Sequence, residues 1–411
     1  MVRQYKDSGF EWIGKIPETW EVDIAKHVFR QRRDKGNEEC QLLAATQKYG
    51  MYPQHLLEGV VKVAADTDLS QFKTVHINDY VISLRSFQGG FEMSDYEGVC
   101  SPAYQVFFAT RQICNQYYKY LFKSDAFIQE INSLTVGIRE GKNILYDDFA
   151  LLSIPIPTVC DQQQIADYLD EKCREIDGLI ALQEQMIAQL TNYKQSVITE
   201  AVTKGLNPNA QLVHSGIDWI GDVPKGWEIC RFKSYISLVK EKVNDVSLPK
   251  INLENIESYS GKFIETDSKY EGEGYLFKPG DVLFGKLRPY LAKVFVPDYN
   301  GQAVGDFYVF RPSPKIETFF LKYAILSDSF ISNVNSSTYG TKMPRANWDY
   351  ISTVYIAVPP KDEQRSISEH LDTKCGEIDR LIETKRQKIE TLKEYKKSVI
   401  YEAVTGKTDV I

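Results

Sequence analysis

Several local patterns in this 411-residue chain bring together residue types that could do chemistry, and none completes a catalytic set. Asp281 followed by Lys286 offers the carboxylate and ammonium of a nuclease core, but such residues are commonplace at strand ends. Gly272-x-Gly274 lacks the third glycine of a dinucleotide-binding turn, and no GxxxxGK[ST] loop exists to cradle a phosphate. Val358-Pro359-Pro360-Lys361 is not the [NDS]PP[YFW] motif of an adenine methyltransferase. His27, His55, His76, His214 and His370 are scattered, with no HExxH or other metal-ligand spacing. Seven cysteines without a CxxC pair argue against a disulfide framework or a structural zinc site. Any catalysis must be borrowed.

A different chemistry is better represented. Arg85, Ser86 and Gln88 sit beside Gly89-Gly90, and the second half of the chain offers Lys286, Arg288 and Tyr290 at the corresponding place. A further cluster, Arg139, Lys142 and Asn143, is answered by Thr341, Lys342, Arg345 and Asn347. Arginine and glutamine can pair bidentately with guanine and adenine edges, and basic and amide groups together suit phosphate clamping plus base readout. Any one of these residues could equally be a solvated surface charge.

The elements that must position them come from a duplication. Residues 8–22 read SGFEWIGKIPETWEV, and residues 215–229 read SGIDWIGDVPKGWEI. Leu169–Thr203 and Leu371–Thr405 match without a gap at more than half of their positions. The order A–B–A′–B′ is a module used twice, not a solenoid. Trp12 with Trp219, and Trp20 with Trp227, are matched pairs beside glycine or proline and read as packing anchors.

The B segments carry a heptad seam. In the first, Leu169, Cys173, Ile176, Ile180, Gln183, Ile187, Leu190 and Lys194 alternate at spacings of four and three. In the second, Leu371, Cys375, Ile378, Ile382, Lys385, Ile389, Leu392 and Lys396 repeat the pattern. Thirty-five helical residues give an arm of roughly 50 Å. Its polar seam positions either fix pairing register or snorkel at the edge. Antiparallel pairing of the arms is expected. Between them, alternating apolar segments, prolines and short amphipathic stretches at Asn115–Ser124 and Thr318–Ser327 give a mixed α/β (α+β) class. The expected boundaries are a first globular domain at 1–160, a first arm at 161–204, a second domain at 205–361 and a second arm at 362–411.

With a net charge of −7, bulk electrostatics alone does not predict DNA binding, so any contact must come from local basic clusters with help from a partner. No signal-like segment or membrane-length apolar run is present in the sequence, which reads as soluble and cytoplasmic.

The SGxxWIGxxPxxW openings, the IPxP…QQQI and VPPxxEQ…I entries, and the LDxKCxEIDxLI…YKxSVIxEAVT arms resemble the specificity subunit of a type I restriction–modification system. The resemblance spans essentially the whole chain. It implies two target-recognition domains related by a pseudo-two-fold, each reading one half of a split sequence in double-stranded DNA. It implies arms that set the spacer and bind two methyltransferase subunits, and motor-nuclease subunits for restriction. It also implies a chain that is no enzyme and holds no cofactor, with S-adenosylmethionine, ATP and Mg²⁺ confined to the partners. Two rival readings stand beside it. One is a coiled-coil scaffold that never touches DNA; the other is an unrecognised nuclease.

Overall fold

The computed structural model describes residues 4–36, 40–58, 69–84, 86–134, 144–268, 270–338 and 342–408. The chain divides into two compact units, residues 1–182 with 388–411, and residues 183–387. The division falls inside the two long helices, so each unit holds the first half of one arm and the second half of the other. The arms run Val159–Lys204 and Lys361–Val404. Both begin slightly before the positions expected from sequence; the Thr158 carbonyl and hydroxyl cap the first turn of one arm, and the Pro360 carbonyl that of the other.

The two units share one sheet topology. In the first, antiparallel strands lie in the order Phe29–Arg32, Gln105–Ala109, Tyr80–Ile82, Glu92–Met93. In the second the order is Ile236–Leu238, Phe307–Pro312, Val282–Gly285, Val294–Phe295. Helix pairs Asn115–Lys123 with Asp125–Leu134, and Thr318–Leu326 with Asp328–Ser336, follow in each. Their apolar faces close the cores. Phe29, Phe107, Phe122 and Phe149 are fully or almost fully buried in the first, and Phe232, Phe310 and Phe330 in the second. Strands Ser153–Ile156, which contains Pro155, and Tyr355–Val358, which is followed by Pro359 and Pro360, pair with the strands that follow Trp20 and Trp227, and lead into the arms.

Matched polar contacts lock each arm onto its unit. Gln162 accepts from Cys114 N at 2.8 Å and donates to the Pro157 carbonyl at 2.9 Å. Gln364 accepts from Glu317 N at 2.7 Å and donates to the Pro359 carbonyl at 2.9 Å. Tyr120 donates to Asp170, and Tyr323 to Asp372, each at 2.6 Å. The indoles of Trp20 and Trp227 donate to Asp161 and Glu363. That places these tryptophans as packing anchors.

The arm seam follows the heptad. Leu169, Ile176, Leu371, Ile378, Ile382 and Ile389 are buried, while Ile180, Ile187, Leu190 and Leu392 are half-buried. In the second unit Lys194, near the end of the first arm, donates to Asp379 in the first half of the second arm at 2.7 Å. In the first unit Lys396 meets Asp177 at the same distance. Both pairings are antiparallel. Two of the seam lysines are therefore inter-arm partners; Lys194 is buried and Lys396 half-buried.

Candidate nucleic-acid interface

In the second unit, strand Val282–Gly285 runs out into a loop zipped to a second loop. Ala346 N donates to the Lys286 carbonyl at 2.8 Å, Arg288 N to the Pro344 carbonyl at 2.7 Å, and Leu287 bridges Arg345. The loop then turns sharply. Arg288 (φ 51°) and Ala292 (φ 45°) are left-handed on either side of the Pro289–Leu291 turn. Left-handed geometry at non-glycine residues costs about 1–2 kcal/mol each, so the surroundings must hold it. Tyr259 does so, donating its hydroxyl to the Tyr290 carbonyl and its amide to the Ala292 carbonyl. The result displays Arg288 and Tyr290 to solvent.

Lys286 and Arg345, 59 residues apart in number, converge on Asp306. Arg345 lies 2.9 Å and Lys286 3.7 Å from its carboxylate, and this contact raises the Arg345 guanidinium above its ordinary value. Lys286 also sits 5.4 Å from the Tyr308 ring and 6.0 Å from that of Tyr275. The Tyr308 hydroxyl donates to the Ala346 carbonyl and accepts from Trp348 N. Lys342 is exposed nearby in sequence. Asn347 is exposed, but its side-chain oxygen is committed to Asp349 N as a helix cap. This surface interleaves cations and aromatics, a mix suited to phosphates and bases.

Asp281 does not belong to it. Its carboxylate is 1% exposed and gripped bidentately by Arg311, with both bonds at 2.8 Å. The equivalent Asp79 is held by Arg32 at 2.7 and 3.0 Å. Each is a structural clamp between strands, which removes the nuclease reading of Asp281 with Lys286. Among the described residues, no group of three or more His, Cys, Asp and Glu is placed to hold a metal ion.

The first unit uses different loops. Gln88 is exposed on the short helix Ser86–Gly89, but Ser86 is only 1% exposed and its hydroxyl accepts from Ser83 N at 2.8 Å. Its expected place at the interface is therefore corrected: the hydroxyl is spent on the turn. Gly90 (φ 74°) allows the Phe122 carbonyl to approach within 2.0 Å of where a Cβ would stand, so no other residue fits. Arg85, Arg139, Lys142, Asn143 and Thr341 lie outside the described residues. Beside the helix is a cleft of about 330 Å³ lined by Gln47, Lys48, Tyr49, Tyr52, Tyr96 and Lys119. Sequence reasoning missed it. Its available signal was the tyrosine and lysine run Gln47-Lys48-Tyr49-Gly50-Met51-Tyr52.

Two units of one topology, closed by antiparallel arm helices and bearing divergent basic and aromatic loops, define a duplicated recognition scaffold. The family model described as the type I restriction modification DNA specificity domain matches residues 17–192 and 228–394. The chain belongs to this family and carries two copies of its domain, a domain of DNA specificity and not of catalysis. The type I restriction enzyme MjaVIII specificity subunit of Methanocaldococcus jannaschii is 24% identical over 443 residues, covering 99% of this chain and 97% of that protein. The EcoDI specificity subunit of Escherichia coli is 25% identical over 247 residues, covering 54% of each. In fold, the chain matches one solved in a study of complex assembly and conformational transition of the type I R-M system. The TM-score is 0.71 at 16% identity, covering 96% of this chain and 99% of that one. No helix among the described residues is long and apolar enough to cross a membrane.

Proposed function

We propose that this chain is the sequence-specificity subunit of a type I restriction–modification complex. Each unit reads one half of a bipartite double-stranded DNA target. Two methyltransferase subunits and the restriction subunits dock on the same chain and supply the chemistry, using S-adenosylmethionine, ATP and Mg²⁺. The observation that carries this reading is the contrast between scaffold and loops. The order of the four-stranded sheet and the arm locks are the same in both units, and each unit buries an equivalent aspartate, Asp79 or Asp281, against an arginine. The surface after the second sheet strand is a helix bearing Gln88 in one and a left-handed turn bearing Arg288 and Tyr290 in the other. Such an arrangement suits two readers of different half-sites.

The test is methyl transfer from labelled S-adenosylmethionine to plasmid DNA by the co-encoded methyltransferase, with and without this chain. Transfer that requires the chain supports the proposal; equal transfer in its absence removes it. The chain alone, incubated with plasmid and Mg²⁺, should leave the DNA uncut.

A further inference from the structure

The duplication also preserves something the loops do not. Aligned on Trp20 and Trp227, Arg33-Asp34-Lys35 falls on Lys240-Glu241-Lys242, a basic–acidic–basic triplet at the end of the same edge strand in each unit. The backbone is pinned identically. Thr74 N donates to the Asp34 carbonyl and Leu276 N to the Glu241 carbonyl, each at 3.0 Å. Lys35 pairs with Lys73 where Lys242 pairs with Tyr275.

Asp34 lies 3.2 Å from Arg32, the residue that clamps Asp79. Glu241 adds to the field that holds Arg311, the residue that clamps Asp281. Asp34 thus lies beside the structural clamp, with its side chain still 69% exposed. The flanking cations are exposed, and among the described residues no carboxylate lies within salt-bridge distance of Arg33, Lys35, Lys240 or Lys242. Among the described residues Lys35 meets the neutral Gln71 amide, and Lys242 the Tyr275 ring at 5.3 Å. That ring is the one Lys286 also approaches, so in the second unit the triplet borders the loop cluster. What sets these cations apart is that they recur at equivalent positions on an equivalent, equally pinned backbone in both units.

We propose that Arg33 with Lys35, and Lys240 with Lys242, hold phosphates of the DNA backbone, forming one sequence-independent clamp per unit. The inference rests on the DNA-recognition reading and deepens it. Positions shared by both units serve the uniform backbone, while positions that differ serve the bases.

The test uses the chain assembled with its methyltransferase. Fluorescence anisotropy measures binding to a panel of short duplexes of unrelated sequence across a salt series. The Arg33→Ala/Lys35→Ala and Lys240→Ala/Lys242→Ala variants should lose affinity by the same factor on every duplex. Each should reduce the slope of log K against log salt by about 2, since each phosphate contact contributes about 0.9. The charge-keeping Arg33→Lys/Lys35→Arg variant should restore the slope, and assembly with the methyltransferase should be unchanged throughout. Wild-type slope and affinity in both alanine variants would overturn the clamps alone. A loss confined to duplexes carrying the recognition sequence would make these residues base readers and overturn them too. Failure of the wild-type complex to bind any duplex would overturn the DNA reading and the clamps together.

Discussion

Lys194 and Asp379 form an ion pair between the two arms, Nζ to Oδ1 at 2.7 Å, with side chains only 7% and 18% exposed. The equivalent pair, Lys396 with Asp177, has the same length but side chains 28% and 58% exposed. Burial makes the first pair costly to break and leaves the second cheap. Lys194→Ala should destabilise the protein by about 3–5 kcal/mol, because it strands a largely shielded carboxylate. The loss should stay toward the lower end, since Lys262 remains 3.3 Å from the same carboxylate. Lys396→Ala should cost under about 1 kcal/mol. Urea denaturation of both variants measures the difference, and equal losses would refute it.

Gly178 and Gly376 lie inside the arm helices, and nothing stands within 4 Å of a Cβ placed at either. Alanine removes unfolded-state freedom without a clash. Gly178→Ala and Gly376→Ala should each raise stability by about 1 kcal/mol, seen as a higher melting temperature.

The loop cluster predicts asymmetric damage. Arg345 stands exposed beside Lys286, on the two zipped loops of the second unit. Arg345→Ala should weaken binding of the assembled complex to its target about ten- to a hundredfold. The effect should fall on substitutions in one half-site only, measured by competition with half-site variants. A uniform loss across all sequences would make Arg345 a phosphate contact.

Thiol chemistry should separate surface from core. Cys100 is buried and its thiol is pushed up to about 12, while burial raises Cys375 to about 11. Neither presents a thiolate near neutral pH, whereas Cys160 is exposed. Iodoacetamide should label Cys160 in the native protein, and Cys100 and Cys375 only after unfolding, as mass spectrometry of digests would report.

Much of the scaffold was legible because it depends on periodicity and repetition. The heptad positions from Leu169 to Lys194 fall on the less exposed side of the helix, and the short helices at Asn115 and Thr318 form as their patterns suggest. What local patterning could not supply was long-range pairing. Asp281 looked reactive until Arg311, from the neighbouring strand, closed on it. Ser86 looked like a surface hydroxyl until the turn from Ser83 consumed it. Lys286 and Arg345 were separate candidates until Asp306 and the two zipped loops brought them to one place. The paired triplets were present in the sequence, but their equivalence needs the matched backbone bonds at the Asp34 and Glu241 carbonyls.

The central claim is that this chain chooses where methylation falls. Modified-base sequencing of a host carrying the chain with its co-encoded methyltransferase, against a host lacking only this chain, tests it most directly. The expected result is one split motif, methylated on adenine in both strands and found only when the chain is present. An unchanged methylation pattern, with the methyltransferase expressed and active in both hosts, would contradict it.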